Sequence, residues 1–393
     1  MVAAAAGCSR TEESSRTDRA APGTTTPSAD STEATDSSSS PSEADASDAS
    51  GRDRPEGLVV LDCDHSWGEV YWTLEAYEPR ADAAAASIAR FPAPNGYTID
   101  DAEADYLTAF ACDTKPASVV RQLFDPNYTA VAVSMPLEAD ASEHIGVLRA
   151  DGSFEDFTKA SNGFSSAPLE HSPVFNPGRP NEIAFRSGGE TGVFLTSREG
   201  ELSCLDSRRA TDSRRRCDVL SSGEKREVFS PSGKWMLPAP HVIGYALHNP
   251  DDTLAVRSDP GERVVSVSEP AGRRSYFFEI PNGTCDPDAW LDSRRFLCSG
   301  DRAWEEGGQL WLVQLRGWGQ PAIWRSLLPE TDRSVYDSIP SPDGLSAAFL
   351  SRQGEATSLF VVALDRGSEP VEVATVSAGE DGEVRLIGWE AGP

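Results

Sequence analysis

The sequence predicts an all-β fold of the β-propeller class, and three observations carry that expectation. A turn followed by a short apolar strand recurs at steps near 50 residues, further short strands fill the intervals, and the chain ends on a segment that reads like the opening of one more unit. The clearest unit is Ser341, Pro342, Asp343 and Gly344, followed by Leu345–Ser351. Pro fixes φ, Asp bonds its own backbone and Gly accepts positive φ, so four residues turn and the next six run as a strand.

Taken in order, the chain begins with Met1–Cys8, in which Ala5, Ala6, Gly7 and Cys8 resemble a bacterial lipobox. The resemblance implies that Cys8 is lipidated and becomes the mature N-terminus. The charged and apolar regions of a signal peptide do not precede it, so residues 1–8 are expected to be the remnant of a longer signal whose start codon lies upstream. The 31 Arg against four Lys points to a GC-rich, actinobacterial genome.

Residues 9–57 form the expected tether. From Ser9 to Glu56 there is no aromatic residue and no Ile, Leu or Val, so the segment cannot bury enough apolar surface to offset the entropy of ordering it. As a flexible coil it spans about 40 Å. With 11 acidic and five basic residues between positions 9 and 56, the tether carries −6 of the formal charge of −28, leaving −22 on residues 57–393. Nucleic acid is therefore excluded as a partner, because binding phosphates needs clustered cations.

A folded domain is expected over 58–393. Residues 58–63 (LVVLDC) and 69–74 (EVYWTL) run apolar or alternate. Residues 80–124 leave two readings open: Thr98 with Asp101 forms a capping box ahead of a helical spacing of Ile99, Ala102, Tyr106 and Phe110, while YLTAFAC reads equally as a strand. Turn units follow at Asp125-Pro126, Asn176-Pro177, Ser230-Pro231, Asn249-Pro250, Leu291-Asp292 and Ser341-Pro342. Counted on the turn residue, the steps are 51, 54, 19, 42 and 50. The short step means that Pro231 or Pro250 is a turn inside a blade, or that one blade is irregular. Four strands per unit over 58–393 gives six or seven blades, and seven is expected. The final VRLIGWE is expected to pair near Leu58–Leu61 and so cover both sheet edges.

Ser341–Ser351 resembles the WD-repeat-like propellers of the TolB type, whose blades open with Ser-Pro-Asp-Gly and an apolar strand; the likeness covers roughly residues 120–393. It implies a fold. Propellers bind, scaffold and catalyse alike, so it implies no activity.

Seven Cys become six if Cys8 carries lipid. Cys204 with Cys217 and Cys285 with Cys298 are each thirteen apart, leaving Cys63 and Cys112, and neighbour pairing is the simplest connectivity. Each short bridge would contribute about 3 kcal/mol and would imply an oxidising compartment.

No nucleophile elbow, H-E-x-x-H, P-loop or dinucleotide fingerprint occurs, and no cofactor or metal is expected. Asp62, Asp64 and His65 around Cys63 are explained by loop acids beside a disulfide. Trp304, Trp311, Trp318 and Trp324 fall within 21 residues; they are either packing between blades or, at Trp304 and Trp318, a stacking surface for sugar or peptide. Arg208, Arg209, Arg214, Arg215 and Arg216 crowd one stretch, which reads as a solvated loop or as an anion-recognition patch. The expectation is a monomeric, lipid-anchored extracytoplasmic module that binds or scaffolds a protein or cell-wall polymer. The alternative is a propeller-class glycan hydrolase or lyase, which needs acids converging on the channel mouth.

Overall fold

The computed structural model describes residues 55–64, 71–92, 117–136, 143–158, 170–187, 190–197, 202–204, 227–229, 231–232, 236–238, 245–258, 264–269, 274–280, 284–301, 308–329, 332–365, 367–377 and 383–391. All belong to one compact unit, Arg52–Pro393. Among them are seven antiparallel sheets and a single short helix, α1 (Ala117–Arg121).

The first sheet holds β1 (Gly57–Asp64), β2 (Tyr71–Tyr77) and β3 (Ala86–Pro92), and its first-placed strand is β25 (Glu383–Glu390) from the far end of the chain. The second holds β4 (Ala130–Pro136), β5 (Glu143–Arg149) and β6 (Phe154–Asp156); the third holds β7 (Glu170–Asn176), β8 (Arg179–Ser187), β9 (Glu190–Ser197) and β10 (Leu202–Cys204). The fourth has two described strands, β11 (Glu227–Phe229) and β12 (Met236–Pro238). The fifth is β13 (Tyr245–His248), β14 (Ala255–Ser258), β15 (Val264–Ser268) and β16 (Ser275–Glu279). The sixth is β17 (Asp286–Trp290), β18 (Arg295–Asp301), β19 (Gly308–Gln314) and β20 (Ile323–Ser326). The seventh is β21 (Ser334–Pro340), β22 (Ser346–Gln353), β23 (Ala356–Ala363) and β24 (Val371–Ser377).

The sheets succeed one another around a ring, because their first strands touch in chain order: β7 meets β11, β11 meets β13, and β13, β17, β21 and β25 follow as neighbours. In the second sheet Leu123–Phe124 takes this inner place, bridging to Val131 and donating no strand of its own, while Phe175 N–H reaches across to Gln122 O at 2.7 Å. The ring closes when β25 pairs with β1, Leu386 opposite Val60 and Arg385 opposite Leu61. This is the pairing expected of VRLIGWE, and the fold is a β-propeller.

The recurring turn has one physical basis in three sheets. Asp125, Asn249 and Ser341 each accept, through the side-chain oxygen, the N–H five residues on, at 2.9 Å in every case. Each also takes the N–H three residues on with its own carbonyl, at 3.1, 3.0 and 2.9 Å. That third residue has positive φ in all three: Tyr128, Asp252 and Gly344. Gly is the low-strain choice there, which is why Ser341–Ser351 reads so clearly and the Tyr and Asp copies do not. Asp292 does the same work with a shorter reach, to Arg294 N–H and Arg295 N–H. The 19-residue step is explained as well: the Pro231 turn lies between β11 and β12 and the Pro250 turn between β13 and β14, in different sheets.

Apolar residues fill the interfaces between sheets. Buried clusters join the first sheet to the second, the second to the third, the fifth to the sixth, the sixth to the seventh and the seventh back to the first. Cys285 and Cys298 are disulfide-bonded, Cα atoms 5.4 Å apart, within the cluster between the fifth and sixth sheets. Cys63 is disulfide-bonded too. Cys8, Cys112 and Cys217 lie outside the described residues, as does the Thr98–Phe110 stretch; within residues 80–124 the described elements are a strand, β3, and the helix α1.

Candidate functional site

The inner strands are where polar groups converge, and β-bulges put them there. In β21 two residues, Asp337 and Ser338, stand opposite the one residue between Ala348 and Leu350 on β22; in β17 Asp288 is the extra residue between Pro287 and Ala289. The register also slips in β7 between His171 and Val174, and where β25 meets β1. A bulge re-aims side chains and tolerates a residue that cannot donate to the ladder, which suits Pro287.

Three consecutive inner strands are thereby cross-linked. Ser338 on β21 donates its hydroxyl to Asp288 Oδ2 on β17 at 2.5 Å, and Ser299 N–H donates to the same oxygen at 3.1 Å. In the other direction Asp337 accepts both Arg385 Nε (2.6 Å) and Nη2 (2.7 Å) from β25, and Leu386 N–H at 3.3 Å. Asp288, Asp337, Ser338 and Arg385 are all buried. Asp337 sits at φ 52°, in the left-handed region, where the two-pronged Arg385 contact holds it. Burial pushes the Asp288 carboxyl up to about 8, assisted by the charge of Asp337 and opposed by the Ser338 and Ser299 hydrogen bonds, so at neutral pH it carries a proton.

The helix α1 packs against β17, β21 and β25, placing chain at the centre of the ring. Its last residue, Arg121, is fastened below: Nη1 donates to Phe124 O and Asp125 O, Nη2 donates to Pro126 O, and the guanidinium lies 4.0 Å over the Tyr128 ring. Tyr128 in turn donates to Glu390 Oε1 at 2.6 Å, tying the second sheet to β25. On β13 His248 is buried and pulled down to about 4 by desolvation, with neither ring nitrogen hydrogen-bonded.

Chemically, this centre is a set of internal latches. Asp337 is saturated by Arg385, and Asp288 is a neutral acid facing a serine rather than a second open carboxylate. Among the described residues no three His, Cys, Asp or Glu side chains converge as a metal-ligand set. Sequence reading did not find these residues. The available signal was a polar residue, with Pro at Pro287, inside segments that otherwise read as strands just ahead of each turn.

The residues singled out from the sequence fall elsewhere. Trp311 and Trp324 meet edge-on at 6.1 Å, Phe278 stands edge-on to Trp324, and Trp290 donates to Leu247 O, so these rings pack between the fifth and sixth sheets. Trp318 is the exception: 41% exposed, it leans edge-on against Tyr276 at 5.2 Å, at the outer rim. Trp304 and Arg208, Arg209, Arg214, Arg215 and Arg216 lie outside the described residues, and Cys204 ends β10.

The closed ring of antiparallel sheets defines the chain as a β-propeller. It is similar to a TolB from Agrobacterium tumefaciens, at 13% identity over 60% of this chain and 94% of that one, with a TM-score of 0.34. It is similar to TolB from Acinetobacter baumannii, at 13% identity over 83% and 82%, TM-score 0.35, and to a periplasmic gluconolactonase from Pseudomonas aeruginosa, at 14% over 81% and 81%, TM-score 0.36. No protein-family profile and no curated protein matches the sequence. These likenesses are of architecture and assign no activity to this chain.

Proposed function

We propose that the protein is an extracytoplasmic binding or scaffolding propeller, anchored at the outer face of the cell membrane through lipidated Cys8 and held off it by residues 9–57. The observation that carries the binding reading is the state of the inner-strand acids. A glycan hydrolase or lyase of the expected kind needs two carboxylates open to substrate, whereas Asp337 is closed by Arg385 and Asp288 by Ser338. The disulfides at Cys285–Cys298 and at Cys63 support an oxidising compartment. A protein or cell-wall polymer is the partner, met at the rim where Trp318 is exposed and, if their loop is an anion patch, by Arg208, Arg209, Arg214, Arg215 and Arg216.

The test expresses the chain behind a signal peptide and follows labelled fatty acid, membrane location and release of reducing ends from wall polysaccharide. Labelling that needs Cys8, with no release of reducing ends, is the expected result. Equal labelling of wild type and Cys8→Ala overturns the anchor, and turnover abolished by Asp288→Asn overturns the binding reading in favour of the enzyme.

A further inference from the structure

The outermost strands of a propeller are open edges, and this chain protects most of them. Where side chains are described, β3 carries Arg90, β6 carries Glu155, β20 carries Arg325 and β24 carries Glu372, charges of the kind that discourage edge pairing. The strand β16 is built otherwise. It reads Ser275, Tyr276, Phe277, Phe278, Glu279, with three aromatics at its centre and its one charge at the end. Five residue pairs join it to β15 without a bulge, so its far edge is straight. Among the described residues no strand pairs with that edge.

Both flanks of this edge are aromatic, one half-buried and the other open. Tyr276 and Phe278 face the sixth sheet, where Trp318 leans on Tyr276 and Trp324 on Phe278. By the alternation of strand side chains Phe277 points the opposite way, away from the sixth sheet, and it is 69% exposed. Glu279 shares the Phe277 face and is exposed.

We infer that the β16 edge is a strand-addition site for an extended segment of a partner protein in which apolar and basic residues alternate. The inference rests on the binding reading above and deepens it by naming the surface and the partner's chemistry. Backbone hydrogen bonds to β16 supply the affinity. Apolar side chains of the added strand pack on Tyr276 and Trp318, and basic ones meet the Phe277 ring face and Glu279. Charge selects the occupant. At the edge itself Arg274, just before β16, is paired with Glu269 at 3.9 Å, leaving Glu279 as its acidic end, and residues 57–393 carry −22, which repels a second copy of this chain and attracts a cationic segment.

The probe is a fluorescein-labelled decapeptide of alternating Val and Lys, titrated with the whole protein and read by anisotropy. Expected are saturable binding, a loss of about tenfold or more when alternate peptide nitrogens are methylated, and a similar loss for Phe277→Lys, which adds a charge to an exposed site and leaves the fold intact. A Val and Glu peptide binding as well, a methylated peptide binding equally, or no binding at all overturns the proposal. So does a dimer formed by the protein alone in sedimentation. Cys8-dependent lipidation and wall-polymer assays are unaffected by any of these results, so failure here leaves the anchored binding reading standing.

Discussion

Ser338 donates its hydroxyl hydrogen to Asp288 Oδ2 across the gap between two neighbouring inner strands, 50 residues apart in the chain and 2.5 Å apart in space. One residue earlier, Asp337 turns the opposite way and grips Arg385. A single bulge thus ties three sheets together at the centre of the ring, and its members give the sharpest tests of the structure.

Asp288 binds a proton in the folded protein that it would release above its ordinary value near 3.8 once unfolded, because burial holds its pKa at about 8. The folded state therefore holds more protons between those values, and this contribution to stability falls as pH rises from about 4 to about 8. Asp288→Asn removes the dependence. Melting temperatures of the two proteins should diverge in the mutant's favour as pH is raised across that window, and parallel profiles would contradict a buried neutral acid.

Removing one member of the Asp337–Arg385 pair leaves a buried charge without its partner. Arg385→Met should cost about 3–5 kcal/mol in urea unfolding. Adding Asp337→Asn, which keeps a residue tolerant of positive φ, should recover part of the loss. Strictly additive losses would mean that the two side chains are not coupled.

Gly388 lies under the Tyr128 hydroxyl, and a Cβ there would overlap it. Gly388→Ala should destabilise by about 1–3 kcal/mol. Tyr128→Phe costs about 1 kcal/mol alone, through loss of the bond to Glu390, but in the Gly388→Ala background it should relieve the overlap and restore stability. Failure of the second substitution to rescue would place the clash elsewhere.

Trp311 is buried against Trp324 while Trp318 is 41% exposed. Trp311→Ala should cost about 3–5 kcal/mol, and Trp318→Ala about 1 kcal/mol or less with weakened binding of the Val and Lys decapeptide. A large loss of stability in both would make Trp318 part of the packing and not of a recognition surface.

Much of the fold was legible because its causes are local. A side-chain acceptor, a Pro and a residue able to take positive φ make the turn at Ser341–Gly344, and the alternation after it makes β22, whatever the rest of the chain does. The closure of β25 on β1 was legible for the same reason, since VRLIGWE reads as the opening strand of one more unit and LVVL as an apolar strand able to pair with it. The strands at 57–64 and 71–77 likewise follow from their own composition.

The latches were not legible, and the cause is geometric. Whether Asp288 is an exposed acid or a buried neutral one depends on Ser338, 50 residues away, and on a bulge whose extra residue leaves only a faint trace in composition. The rim followed the same logic. Phe277 and Phe278 are identical in sequence terms, yet the second is buried against Trp324 and the first is open, because the sixth sheet covers only one face of β16. The sequence by itself determined the turns, the strands and the ring they close. Only the tertiary structure decided which polar and aromatic side chains were paired, buried or left open, because exposure belongs to neighbours that the chain brings together from far apart.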